Sequence, residues 1–454
     1  MTGFIHYVWS FGLILGVLVV VHEFGHFIIA RWSGVKVLRF SVGFGRVLWS
    51  RKFGADRTEF ALSAFPLGGY VRMLDEREGE VAASEVHRAF NRQSVWRRAA
   101  IVVAGPGANL LLAVLLNWVV FVHGIDEIRP LLGVPVVSSA AEKAGISAGD
   151  RVVKIAGDEI DTWQEMRWRL IKLAVDHDVV QLDLLTANRQ VVQRNLDLRI
   201  VRTQGWQGDA IEKLGLTLYE PYIPAVIDHV DDRSAGQLAG LRAGDRIVRI
   251  DGKTVRDSRD VVVAVGKAVH RTLMMDVLRS GNTLAIPVKP AAIVDRGVTK
   301  GRIGVAFTAP GARQELMIRM HYGPLVAVGK AVAETWDKSA FSLRMIGRMI
   351  VGEVSWHNIG GPVTIASYAG QSARLGLDYY LRFMALVSVS LAVLNLLPVP
   401  ILDGGHLLYY VLEAIRRRPL SEKVMEIGQQ IGLALLLVLM AFAFYNDVNR
   451  LISG

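Results

Sequence analysis

The segment His22-Glu23-Phe24-Gly25-His26 sets two imidazoles four residues apart, with a carboxylate beside the first. On a helix such positions lie one above the other on one face, so His22 and His26 can grip a single metal ion. Neutral imidazole suits Zn²⁺, which lowers the pKa of water in its coordination shell towards about 7. Glu23 lies beside that face and can take a proton from such water. The pattern is short and arises by accident in soluble proteins, but its setting here is apolar on both sides, residues 17–21 before it and 27–30 after it. A charged group at the centre of a bilayer costs on the order of 3 kcal/mol on insertion scales and is normally kept for function. Arg31 follows His22 by nine residues, roughly 13 Å of helix, so the pair is submerged towards the side that Arg31 marks.

A hydrolytic zinc site needs a third protein ligand and an open fourth position. The sequence offers it in Asn395-Leu-Leu-Pro-Val-Pro-Ile-Leu-Asp403-Gly404-Gly405-His406, where Pro398 and Pro400 must break a helix and the two glycines permit a sharp turn. Broken backbone at membrane depth is tolerated where protein buries it or a wet cavity adjoins it. Asp403 is the only acid between Asp378 and Glu413; His406 is the alternative ligand. Asn395 has two possible tasks, hydrogen bonding to a substrate carbonyl or developing oxyanion, or capping the carbonyls that the break sets free.

The elements that must position these groups are apolar helices. Of 454 residues, 52% are hydrophobic and 21% charged, and mean hydropathy is +0.33; this suits apolar spans joined to a soluble portion. Residues 4–30, 99–122, 383–402 and 427–445 are long enough, or nearly so, to cross a hydrocarbon core. The first has no basic flank before it and no small-residue cleavage site after it, and reads as a retained helix rather than a signal peptide. Arg31, Lys36, Arg39, Arg46, Arg51 and Lys52 follow the first span, and Arg416, Arg417, Arg418 and Lys423 join the third to the fourth. By the positive-inside rule both connections are cytoplasmic, and both termini and residues 123–382 lie outside, in the periplasm if the membrane is a bacterial inner membrane. The net charge of +10 comes without a long Lys/Arg run, so membrane topology accounts for it and nucleic acid is not expected. With no cysteine, disulfides and thiolate chemistry are excluded.

The external part contains a duplication. Ala144-Gly145-Ile-Ser-Ala-Gly149-Asp150-Arg151 returns about 95 residues later as Ala239-Gly240-Leu-Arg-Ala-Gly244-Asp245-Arg246, each copy followed by a short apolar strand, a helical stretch and alternating strands. The pattern resembles the PDZ domain, a module that binds extended peptides by strand addition. Between residues 322 and 350 Lys330, Glu334 and Lys338 recur at helical spacing, opposite Leu325, Val328, Val332, Trp336 and Leu343. This predicts an amphipathic helix lying on the outer membrane surface or on the repeats.

Taken together, the HEFGH and NLLPVPILDGG segments and the PDZ-like repeats resemble the site-2 protease family over almost the whole chain. The resemblance implies a zinc site of His22, His26 and Asp403 with Glu23 as general base. It implies membrane-embedded substrates with a single span, including an anti-sigma factor already trimmed by another protease, and remnant signal peptides. It also guides the reading of residues 35–49 and 58–74, whose alternation and glycines (Gly43, Gly45, Gly68, Gly69) suit β-hairpins. In the family such strands dip towards the active site and hold the unwound substrate, giving Gly68 and Gly69 a place in substrate binding. The expected fold is a polytopic α-helical membrane protein of four spans with cytoplasmic, membrane-associated β-hairpins and two tandem periplasmic PDZ domains. The expected divisions are 1–124, 125–212, 213–295, 296–382 and 383–454. A metal transporter using the same ligands, or a membrane-tethered scaffold, are the competing readings; four spans are few for the first, and an intact HEFGH and LDGG speak against the second.

Overall fold

The computed structural model describes residues 2–203, 210–269, 271–295, 298–307, 316–354, 360–418 and 420–453. Parts of the expected linker, 308–315 and 355–359, lie outside them. Two compact units result, one formed by residues 1–125 and 319–454, the other by 126–203 and 209–318.

Among the described residues, four helices of the first unit are long and apolar enough to cross a membrane: His6–Trp32, Val95–His123, Leu377–Asn395 and Lys423–Asn449. The first span is the hub. Its Ile14 and Leu18 are fully buried among Ala369, Tyr380 and Met384 of the helices Pro362–Leu375 and Leu377–Asn395. At Gly25 it meets the second span backbone to backbone. A Cβ at Gly25 would fall 2.2 Å from the Ala104 carbonyl oxygen, so only glycine lets the two backbones meet there, as small residues do at helix contacts in lipid.

The third span ends earlier than the apolar run does. Its helix stops at Asn395, residues 396–402 are irregular, and a new helix, Asp403–Arg416, begins with the acid itself. Pro398 and Pro400 supply the break, and Ile401, a β-branched residue, is held at φ +94°, a conformation that costs such residues dearly. The sequence reading gave the sharp turn to the glycines after Asp403, but they lie in the first turn of the new helix. A Cβ at Gly404 would fall 2.1 Å from the Leu397 carbonyl oxygen, and one at Gly405 would fall 2.5 Å from that of Val399. Their role is to let the broken segment fold flat against the helix start. Gly405→Ala should therefore push Asp403 out of position: zinc affinity falls at least tenfold and stability by about 1–3 kcal/mol, measured by chelator competition and thermal unfolding. Gly432 on the fourth span meets the same loop, where a Cβ would fall 2.0 Å from the Pro400 carbonyl oxygen.

Residues 35–74 form one long hairpin, Val37–Phe53 with Thr58–Met73, rather than separate hairpins. Both strands bend and double back, so residues 39–42 pair with 59–62 on one side and 69–72 on the other. Gly43 and Gly45, at φ +89° and +86°, provide the bend that a side chain would resist. Residues 69–73 thus become an outer strand. The sheet is pinned to the first span by Phe27, whose ring meets those of Phe40 and Phe60 edge-on at 5.7 and 5.6 Å.

The amphipathic helix exists, as Pro324–Ile350, but its buried face is not the one read from the sequence. Ala327, Ala331, Thr335 and Ser339 are buried, while Leu325 and Trp336 are 90% and 72% exposed. The small-residue stripe packs on the second span, where Asn117 donates to the Thr335 hydroxyl at 3.3 Å and Trp118 donates to the Pro324 carbonyl at 3.0 Å. The helix therefore belongs with the spans, not with the repeats.

The second unit carries two four-stranded antiparallel sheets of one plan. Strand order is 158–159, 151–155, 179–185, 191–197 in the first and 253–254, 246–250, 273–279, 282–288 in the second. Each has a capped helix in the same place. Thr162 and Glu165 form a reciprocal capping box on Trp163–Asp176, and Asp257 caps Ser258–Lys267. Backbone pairing runs past the expected divisions at 212 and 295. Leu214 and Thr217 accept from Ala141 and Gly133 in the first module, and Val305–Phe307 pairs with Ile227–Val230 in the second.

Candidate metal centre

His22 and His26 are both buried on the first span, with Nε2 atoms 3.2 Å apart. Asp403, brought back by the broken segment, sets its Oδ2 3.2 Å from His22 Nε2 and 3.6 Å from His26 Nε2. One ligand atom from each of the three lies within 4.8 Å of the others. His26 Nδ1 donates to the Ile101 carbonyl at 2.8 Å, which leaves its Nε2 lone pair facing Asp403. The Oδ2 atom is buried without a hydrogen-bond partner. Lone pairs converging on one point with an unsatisfied carboxylate oxygen among them need a cation, and two imidazoles with one carboxylate suit zinc.

Glu23 is half-buried and outside this cluster. The outer strand of the hairpin comes up to it: a Cβ at Gly69 would fall 2.9 Å from Glu23 Cγ, so the strand's backbone lies against the acid. Gly68 has the ring of Phe44 at its Cα, where a Cβ would fall 2.1 Å from Cε2. Asn395 ends the third-span helix, half-buried. Its side chain makes no hydrogen bond among the described residues, and the carbonyls at the break are met instead by the Leu396 backbone N–H. His406, one turn beyond Asp403, lies outside the cluster. Its ring meets Tyr409 at 6.2 Å and lines a cavity of about 1030 Å³ shared with Val71, Met73 and Glu413. Beside it Arg98 of the second span makes a bidentate pair with Glu413, at 2.7 and 3.1 Å, tying the helix that starts with Asp403 to the second span.

The sequence reading missed the second span's part in the centre. Besides the Ile101 carbonyl, Gly105 is required there, since a Cβ would fall 2.2 Å from His26 Nε2. The signal was a glycine and an asparagine, Gly105 and Asn109, at helical spacing in a largely apolar run.

Comparison with known proteins adds four likenesses. A family model described as Peptidase family M50 matches residues 10–439. The chain is 38% identical over 453 residues to the regulator of sigma-E protease RseP of Escherichia coli, covering 99% of this chain and 100% of that protein. It is 40% identical over 466 residues to a protein of Ralstonia nicotianae named as a zinc metalloprotease, covering 98% of each. Among solved structures, the PDZ domain of an SdrC-like protein from Listeria monocytogenes is 24% identical, with a TM-score of 0.18 over 21% of this chain and 98% of that one.

Proposed function

The chain belongs to peptidase family M50 and is a zinc metalloprotease, and from that premise we propose that it cuts single-span membrane proteins within the bilayer, using His22, His26 and Asp403 as zinc ligands and Glu23 as general base. The observation that carries this reading is the convergence of two imidazoles from the first span and a carboxylate from beyond the broken third span on one point. Zinc, when bound, supplies a Lewis acid that polarises the scissile carbonyl and makes water acidic enough to attack at neutral pH. The protein's own groups do the rest. Glu23 accepts the proton that the attacking water gives up and delivers it to the nitrogen as the C–N bond breaks. The outer strand, residues 69–73, holds the unwound substrate extended by pairing with it, with the Gly68 and Gly69 backbone nearest the acid. Asn395, whose amide is uncommitted, hydrogen-bonds the substrate carbonyl or the developing oxyanion.

Basic flanks support cytoplasmic hairpin strands and a zinc site towards that side, with both termini and two tandem PDZ domains in the periplasm of a bacterial inner membrane. The Escherichia coli relative, a regulator of sigma-E protease, supports an anti-sigma factor of the envelope stress response as one substrate, and remnant signal peptides are a second. The test is hydrolysis of a single-span substrate by the purified protein in detergent. Cleavage that chelation abolishes and zinc restores is expected; zinc bound with no cleavage of any such substrate would sink the proposal.

The repeats select substrates rather than take part in the chemistry. Two folded modules outside the membrane hinder a substrate that keeps a bulky external domain and admit a trimmed one. Deleting residues 130–307 should leave hydrolysis of a short substrate within about threefold, since no catalytic group is lost, and should permit cleavage of an untrimmed one that the intact enzyme refuses. A stable, zinc-loaded deletion variant that cleaves neither would overturn the filter.

A further inference from the structure

The geometry points to Asn109 as a positioning residue of the metal centre, whose side-chain carbonyl takes the Nδ1 proton of His22 and so keeps the His22 Nε2 lone pair turned towards the ion. This rests on the zinc reading of the site. Asn109 is fully buried on the second span, and its amide nitrogen stands 3.4 Å from His22 Nδ1. An amide NH₂ can only donate, and donation to Nδ1 would force the ring proton onto Nε2, the atom that faces Asp403. A histidine that ligates through Nε2 must instead carry its proton on Nδ1 and needs an acceptor there. The other end of the same amide is that acceptor. Asn109 Oδ1 is buried with no hydrogen-bond partner, and turning the amide end for end sets it on Nδ1, an exchange between two near-isosteric ends.

The arrangement then matches that of the second histidine. Ile101, Gly105 and Asn109 are four residues apart on one face of the second span. Ile101 offers its carbonyl to His26 Nδ1 at 2.8 Å, Gly105 leaves room for the His26 ring, and Asn109 offers its amide to His22. The face is held from behind as well, since the fully buried Ser388 of the third span donates to the Asn109 backbone carbonyl at 2.7 Å. One helix that gives no ligand thereby sets both imidazoles.

The test measures zinc affinity of the full chain in detergent by chelator competition, and the visible spectrum of the Co²⁺-loaded protein, without reference to cleavage. Asn109→Leu removes the acceptor at similar volume and should weaken zinc by 10–100-fold and change the Co²⁺ bands. Asn109→Asp keeps an acceptor at the same reach and should stay within about threefold of the parent, by the same carboxylate–histidine logic. Asn117→Leu, a second buried amide two turns along the same helix and bonded to Thr335, should leave zinc and spectrum unchanged. Parent-like affinity and spectrum in Asn109→Leu would overturn the assignment. So would equal loss in Asn109→Asp, or equal loss in Asn117→Leu, which would mark a packing effect alone. His22→Ala separates the underlying reading: parent-like affinity there removes the ligand assignment and this one with it, whereas its loss beside an unaffected Asn109→Leu removes only this one.

Discussion

Glu23→Gln is expected to keep one zinc ion per chain and to lose cleavage by about 10²–10⁴-fold or more, the range over which general base catalysis contributes. The three ligand atoms within 4.8 Å of one another come from His22, His26 and Asp403, and Glu23 is not among them, so an amide in its place leaves the donor set whole. Gln has nearly the same shape and can still hydrogen-bond, but it cannot accept and return a proton. A Cβ at Gly69 would fall 2.9 Å from Glu23 Cγ, so the hairpin backbone lies directly against the acid. Elemental analysis of the purified variant beside single-turnover cleavage separates the two quantities. Zinc lost together with activity would make Glu23 a ligand.

Asp403→Ala should weaken zinc by more than about 100-fold, since outer partners of a ligand are themselves worth 10–100-fold, and activity should fall with it. The two histidines would remain, but their lone pairs would face a gap where the only anionic donor had been. His406→Ala is the informative contrast. Its ring turns to Tyr409 at 6.2 Å and to the cavity, so zinc content should be unchanged. Zinc lost from His406→Ala and kept in Asp403→Ala would reverse the assignment of the third ligand.

Much of this was legible because it is local. The four-residue spacing of His22 and His26 survives any packing of the helix that bears it, and an acid among Pro398, Pro400 and two glycines could hardly be accidental. Long apolar runs announced the spans, although the third helix stops at Asn395 and the fourth runs over Glu422–Ser453, because prolines and polar helix ends are invisible to an apolarity count. What escaped was long-range. The doubling of the hairpin depends on Gly43 and Gly45 bending a strand that still alternates. The helix Pro324–Ile350 was read by the rule for water, in which large apolar residues face inward. Among membrane spans the rule shifts to small residues at the contact, and Ala327, Ala331, Thr335 and Ser339 obey it. The Ile101 carbonyl could not have been found at all, since every residue type has one.

Ile401, at φ +94°, has a consequence for how long the centre stays intact. A β-branched residue held there carries on the order of 1–3 kcal/mol of backbone strain and stays only because its surroundings over-determine it. That strain sits two residues from Asp403, while the histidines lie on a continuous helix whose own Ile14 and Leu18 are fully buried. Opening of the centre should therefore be a local event, governed by residues 396–402, with lower free energy than melting of any span. Amide hydrogen exchange would register it as early labelling of Val399, Ile401 and Leu402 while 14–26 stay protected. On this view the lifetime of the assembled site is set by a short strained loop, and the helices can be made more stable without lengthening it.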